Sequence, residues 1–312
     1  ALQNNYQYRV IVNGQCGSAT STAATLTVQT APAITSQPQN VVECVGNNAV
    51  FSVTATGTGL SYQWQESTDL GVSYNNIGGA TSSTYTLTGV ILTQNNYRYR
   101  VIVSGTCPVP VISNAALLSV GNAAAIGTQP SSSIVCVGQT ATFTVIASGS
   151  SLTYQWQQST DGGANFNDIT GATTATLSLP AVAFTSNGYQ YRVNVFSCIP
   201  TPIPSSVATL TVNTLAAINT DPAAVVLCEG SSATFSVSAT GTGITYQWQL
   251  STTGCAGVFA NIAGATSNSL VVANVIASQN GYAYRVVVTG ACNTVTSTCA
   301  ALTVNNPIVV IS

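Results

Sequence analysis

The reading of this chain turns on Tyr154-Gln155-Trp156-Gln157. The same four residues recur as Tyr62-Gln63-Trp64-Gln65 and Tyr246-Gln247-Trp248-Gln249, and Trp64, Trp156 and Trp248 are its only tryptophans. Successive copies stand 92 residues apart. Side chains alternate across a strand, so each Tyr and Trp share one face and the two Gln share the other. A large aromatic in an alternating strand, once per roughly ninety residues, marks the core of a β-sandwich. The three tryptophans are therefore read as core markers.

Around Trp156, Thr142 to Ala147 alternates with Phe143 and Val145 on one face. Asp161-Gly162-Gly163 forms a turn, Thr176 to Leu179 places Leu177 and Leu179 inward, and Tyr189 to Val195 alternates strictly. Ala208 to Val212 closes the unit. Short alternating strands separated by Gly, Asn and Pro, with no helical period, predict an all-β architecture. Val28, Val120, Val212 and Val304 end successive units 92 residues apart. The period thus divides the chain into domains 31–122, 123–214 and 215–304.

Residues 1–30 read as the last two strands of an incomplete domain, because Tyr6-Gln7-Tyr8-Arg9-Val10-Ile11-Val12 matches Tyr189 to Val195. Residues 305–312, ending Ile308-Val309-Val310-Ile311-Ser312, read as the first strand of a further domain. The linkers are short and not Gly/Ser-rich, which predicts semi-rigid joints and a rod of sandwiches.

Composition bounds the chemistry. Charged residues are 4% of the chain against about 25% in an average domain. Lys and His are absent, and the basic residues are Arg9, Arg98, Arg100, Arg192 and Arg285. A net charge of −2 gives no case for nucleic acid, and no apolar run is long enough for membrane insertion. A neutral surface without Lys lacks the usual guard against edge-to-edge strand pairing, so self-association with other copies is expected.

The runs Tyr154 to Gly163, Ile169 to Thr173 and Asn187 to Val193 resemble the tandem immunoglobulin-like repeats of Bacteroidota cell-surface and secreted, adhesin-like proteins. The resemblance covers all three units and the leading fragment. It implies tandem immunoglobulin-like sandwiches serving as stalks, adhesins or spacers of enzymes. One departure is plain: Val101, Val193 and Val286 stand where an antibody domain has its second core Cys.

Nine cysteines sort by the repeat. Cys44, Cys136 and Cys228 each precede the second strand, and Cys107, Cys198 and Cys292 each follow the Tyr-Arg strand. Taking the second strand to start at the pole where the sixth ends, the expected disulfides are Cys44–Cys107, Cys136–Cys198 and Cys228–Cys292. Cys255 and Cys299, in the third unit only, are expected to form a fourth. Cys16 remains over, either because its partner lies upstream or because it is intermolecular. Disulfides on this scale imply an oxidising, extracellular compartment.

Without His, a Ser-His-Asp or Cys-His pair cannot form, and imidazole ligands for zinc are missing. Asp161, Asn165, Asn167 and Asp168 superficially resemble a calcium loop, but the other units carry Asp69 and Thr253 at the first position. No catalytic residue, metal or cofactor is expected. One Arg per unit alternates with inward Tyr and Val and so points outward, for a structural hydrogen bond. Tyr74 and Tyr85 are possible outward aromatics. The expected function is a non-enzymatic extracellular structural or adhesive repeat segment that self-assembles into a filament or surface layer. The alternatives are a module binding glycans or host proteins through loops such as Cys107-Pro108-Val109-Pro110 and 200–204, or a spacer of a larger secreted enzyme.

Overall fold

The computed structural model describes residues 3–198 and 201–305. Its elements are short β-strands and three single-turn 3-10 helices. The chain divides into two compact units: Ala1–Gly127 with Ile146–Tyr154 and Asn194–Pro204, and Thr128–Val145 with Gln155–Val193 and Ser205–Ser312.

In the first unit, one repeat is a complete sandwich. Its larger sheet runs in the order Asn75–Asn76, Ser61–Ser67, Arg98–Ser104, Ala116–Gly121, Val41–Cys44. The short strand Val111–Ile112 also pairs with Arg98–Ser104. Opposite stand the pairs Ala49–Ser52 with Thr84–Leu87 and Ala33–Ser36 with Thr54–Thr56. Trp64 is fully buried, packed with Phe51, Tyr99, Val101 and Val103. Its indole N–H donates to the Ser82 carbonyl at 2.9 Å, so burying it leaves no polar group unpaired. Tyr85, a possible outward aromatic by sequence, packs on this core, 6.1 Å from Trp64.

In the second unit the same pattern recurs. Trp156 and Trp248 are fully buried and donate to the carbonyls of Thr174 and Ser267. Phe143 stacks on Tyr191 at 4.8 Å and Phe235 on Tyr284 at 4.6 Å, which matches Phe51 on Tyr99 in the first unit. Burial pushes all three phenols up, that of Tyr191 to about 12.

One strand is not visible in the alternation. Val41–Cys44 pairs in parallel with Ala116–Gly121, Ser133–Cys136 with Ala208–Asn213, and Val225–Cys228 with Ala300–Asn305. The cysteine ends this strand in each repeat, beside the last residue of the final strand. It therefore sits at the trailing pole, where the chain leaves the repeat. The strand Arg98–Ser104 is antiparallel to Ala116–Gly121, so Cys107 lies at the opposite, leading pole.

Residues 3–30 form two small hairpin-like pairs, Gln7–Tyr8 with Ala24–Thr25 and Ile11–Gly14 with Gly17–Thr20. Tyr8, Val10 and Val12 are exposed, although their counterparts Tyr191, Val193 and Val195 are core residues. The final strand extends to Asn305. The expected further strand at Ile308 to Ile311 lies outside the described residues.

Candidate functional site at the joints between repeats

The joints begin with backbone chemistry. The last strand of one repeat runs on into the next, and its first linker residue docks on a loop there. The Thr30 N–H donates to Thr58 Oγ1 at 3.0 Å, and Thr58 N–H donates back to the Thr30 carbonyl at 3.0 Å. Asn122 and Ser150 make the same reciprocal pair at 2.8 and 3.0 Å, and Thr214 and Thr242 make it at 2.9 and 3.4 Å. Each pair is 28 residues apart, and the set repeats every 92. Reciprocal bonds of this kind satisfy linker groups that a loose tether would leave to water.

A glycine permits the approach. Gly57, Gly149 and Gly241 have φ of +147°, +145° and +143°, which side-chain-bearing residues rarely adopt. A Cβ there would stand 2.9 Å from Pro32 Cα, 3.0 Å from Ala124 Cα and 2.7 Å from Ala216 Cα, respectively. Side-chain hydrogen bonds complete the joints. Ala124 N–H donates to Ser197 Oγ at 3.0 Å, and Asn293 exchanges two hydrogen bonds with the Ala216 backbone at 2.6 and 3.0 Å.

Disulfides then cross the joints. Cys44 of the first repeat is bonded to Cys198 of the second, with Cα atoms 5.3 Å apart. Cys136 of the second is bonded to Cys292 of the third, at 5.8 Å. The expected bridges within repeats, Cys44–Cys107, Cys136–Cys198 and Cys228–Cys292, are not those of the structure. The physical reason is strand parity. The strand Val41–Cys44 is parallel to Ala116–Gly121, which is antiparallel to Arg98–Ser104, so the Cys that ends the one and the Cys that follows the other lie at opposite poles of a single sandwich. They meet only when the trailing pole of one repeat faces the leading pole of the next. Cys107 and Cys228, expected in disulfides, carry free thiols, as does exposed Cys16 in the turn between Ile11–Gly14 and Gly17–Thr20.

The third repeat adds a tie of its own. Cys255, in the turn after the Trp strand, is bonded to Cys299 ahead of the last strand. In the other repeats an Asp closes that turn: Asp69 accepts from Ser67 Oγ and from Ser73, and Asp161 accepts from Ser159 Oγ and Asn165. These bonds hold both carboxyls below the usual range, Asp161 at about 2. Thr253 stands at that position in the third repeat, where the disulfide does the holding. The calcium-like set around Asp161 is consumed internally, since Asp168 accepts from Gln157 at 2.8 Å. Among the described residues no group of three or more His, Cys, Asp or Glu could hold a metal ion.

The outward Gln face of the Trp strand is a brace. Gln63, Gln155 and Gln247 donate to the carbonyls of Ile77, Ile169 and Ile262. Arg100, Arg192 and Arg285 each donate through Nε to the second Gln at 2.7–2.8 Å. Their guanidinium carbons lie 3.7–4.1 Å from the ring centres of Tyr74, Phe166 and Phe259. Tyr74 is thus outward, as its sequence position allows, but its ring face is covered by Arg100. Sequence reasoning misses Phe166 and Phe259 as partners. Their signal is an aromatic at matching positions in each turn, 92 to 93 residues apart.

This chain belongs to the family described as Domain of unknown function (DUF8696), which matches residues 33–122, 125–214 and 218–306. It is 35% identical over 167 residues to Endoglucanase C of Cellulomonas fimi, covering 53% of this chain. The chain spans only 15% of the length of that protein. Among solved structures, the I-band fragment I67-I69 from titin is similar at 15% identity with a TM-score of 0.61, over 88% of this chain and 99% of that one. An E-to-A variant of the same three immunoglobulin domains matches equally, over 89% and 100%. These likenesses establish tandem immunoglobulin-like repeats as the fold.

Proposed function

We propose that this chain is a non-enzymatic, extracellular structural segment, a force-bearing array whose neighbouring repeats are covalently stapled and which spaces another part of the same polypeptide. The observation that carries this reading is the pair of disulfides between repeats, Cys44–Cys198 and Cys136–Cys292. A bridge that crosses a joint adds nothing to the core of either sandwich. What it constrains is the angle and separation of two neighbours, which matters when force is transmitted from one to the next. Disulfides also favour an oxidising compartment outside the cytosol. Similarity to a short share of a much longer endoglucanase supports the spacer reading over an adhesive one.

Small-angle X-ray scattering on oxidised and fully reduced protein tests it. Reduction is expected to broaden the distribution of dimensions while Trp fluorescence stays that of folded repeats. Identical scattering profiles would remove the force-bearing reading.

Self-association is a second reading, favoured by one observation. Val42, Ile134 and Val226 are all 60% or more exposed, each on an edge strand of its repeat's larger sheet. Edge strands with apolar outward residues and no Lys invite pairing between copies. Negative-stain images of dispersed single particles at all salt concentrations would exclude it.

A further inference from the structure

The structure assigns Cys228 and Cys107 as the two complementary halves of the inter-repeat staple, each a covalent attachment site for a further repeat of this same family. This inference rests on the force-bearing reading above and extends it to the poles that bear free thiols.

Cys228 ends the strand Val225–Cys228, in parallel register opposite Asn305. Cys136 holds the same place opposite Asn213, and Cys44 opposite Gly121. The backbone after each cysteine is fixed identically: the N–H of Val45, Val137 and Glu229 donates to the carbonyl of that opposing residue at 2.9, 2.9 and 3.2 Å. Cys44 and Cys136 are both bonded to a cysteine following the Arg strand of the next repeat. Cys228 has the same strand, register and pole, and its thiol is exposed.

Cys107 is the counterpart. It follows Arg98–Ser104 as Cys198 follows Gln190–Phe196 and Cys292 follows Ala283–Thr289. The loop carrying it is held at the leading pole by Thr106, whose N–H donates to the Thr58 carbonyl at 2.9 Å. In the third repeat Ala291 N–H donates to the Thr242 carbonyl, also at 2.9 Å, beside the bonded Cys292. The leading pole of the first repeat is therefore arranged as one that receives a staple.

The occupant is defined by geometry. Cys228 takes the cysteine after the Arg strand of a repeat docked on its trailing pole, and Cys107 takes the cysteine ending the edge strand of a repeat docked on its leading pole. Chemically, a thiolate attacks a small-molecule disulfide and expels one thiolate. The partner cysteine then attacks the mixed disulfide and expels the second. The two protein thiols lose two electrons and two protons, and the small disulfide leaves as two thiols. The added repeat can come from the same polypeptide or from another chain; the chemistry is shared.

The test is disulfide mapping of the full polypeptide isolated without reductant, with free thiols alkylated in denaturant before digestion. The expected result is that Cys228 and Cys107 escape alkylation. The Cys228 peptide should then be linked to one from the loop after an Arg strand, and the Cys107 peptide to one ending in an edge-strand Cys. A linked mass that falls on reduction of the intact protein places the partner on a second chain; an unchanged chain mass places it on the same one. Alkylated Cys228 and Cys107, capture of either by a small thiol, or bridges of Cys228 to Cys255, Cys292 or Cys299 would overturn the assignment. In a Cys228→Ser variant only its own link should vanish, with Cys136–Cys292 retained. Failure here leaves the scattering comparison untouched, so the two readings fall separately.

Discussion

Gly121 and Cys44 are partners in a parallel register, and this one pairing places the cysteine where the chain leaves its repeat. From there its sulfur reaches Cys198 across the joint. Each such bridge closes a loop of about 154 residues, which alone is worth on the order of 5 kcal/mol in the chain-entropy model. A Cys198→Ser variant should keep native Trp64 and Trp156 fluorescence. It should also unfold at lower denaturant and become cleavable at residues 121–125, as shown by limited proteolysis followed by mass spectrometry.

Extension under force offers a second check. Pulled from its ends, the oxidised chain can lengthen only along the shortest path through its three bridges. Single-molecule pulling should give a total extension less than half of that in reductant. Equal extensions in the two conditions would mean the bridges are not those described.

Gly149→Ala should loosen the joint between the first two repeats. Its φ of +145° is strained for Ala, and the new Cβ would press on the Ala123 carbonyl and Ala124 Cα, both at 3.0 Å. The expected cost is about 1–3 kcal/mol, read from denaturant unfolding. Gly171 also has positive φ, but nothing lies within 4 Å of where its Cβ would stand, so Ala there should cost less.

Arg192→Lys should lose the planar stack on Phe166 and the Nε bond to Gln157. About 1–2 kcal/mol of stability is expected to go, with the same loss at Arg100 and Arg285. Chemical denaturation of the three single variants would show the equivalence.

Acid should separate the repeats in their response. Asp161 titrates at about 2 against an ordinary 3.8, because Asn165 and Ser159 donate to its ionised form. A depressed folded value stabilises above the unfolded value and is lost as pH falls through the folded one. The turn at Asp161 should therefore slacken between about pH 4 and 2, and that at Asp69 should follow in the same direction. The matching turn of the third repeat, with Thr253 in place of the Asp and the Cys255–Cys299 bridge, should not respond. Backbone amide NMR shifts of Asn165, Ser73 and Val258 across this range would decide it.

Much of the fold is legible in the chain. Trp64, Trp156 and Trp248 carry the period, and the alternation around them marks the strands, because a half-buried strand must show its two-residue rhythm. The strand Val41–Cys44 does not show it in its residue types: four residues long and on an edge, it leaves Val42 exposed and Glu43 half-buried, so apolar and polar residues do not mark its two faces. Without that strand the pole at which Cys44 sits is hidden, and pairing within a repeat is the natural expectation. The joint residues Thr58, Ser150 and Thr242 are equally silent, being small polar residues whose role exists only once a neighbour's linker lies against them.

The two inter-repeat bridges overlap along the chain, since Cys136 lies inside the span closed by Cys44–Cys198. A backbone break anywhere from 44 to 292 therefore leaves the ends joined. Arg98, Arg100, Arg192 and Arg285 all fall in that interval. Complete trypsin digestion would release the short stretch through Arg9 and the dipeptide between Arg98 and Arg100. Every larger fragment stays linked through Cys44–Cys198, Cys255–Cys299 and Cys136–Cys292. The chain behaves as a laced cable, one that can be nicked at each of its interior cutting sites and still not part.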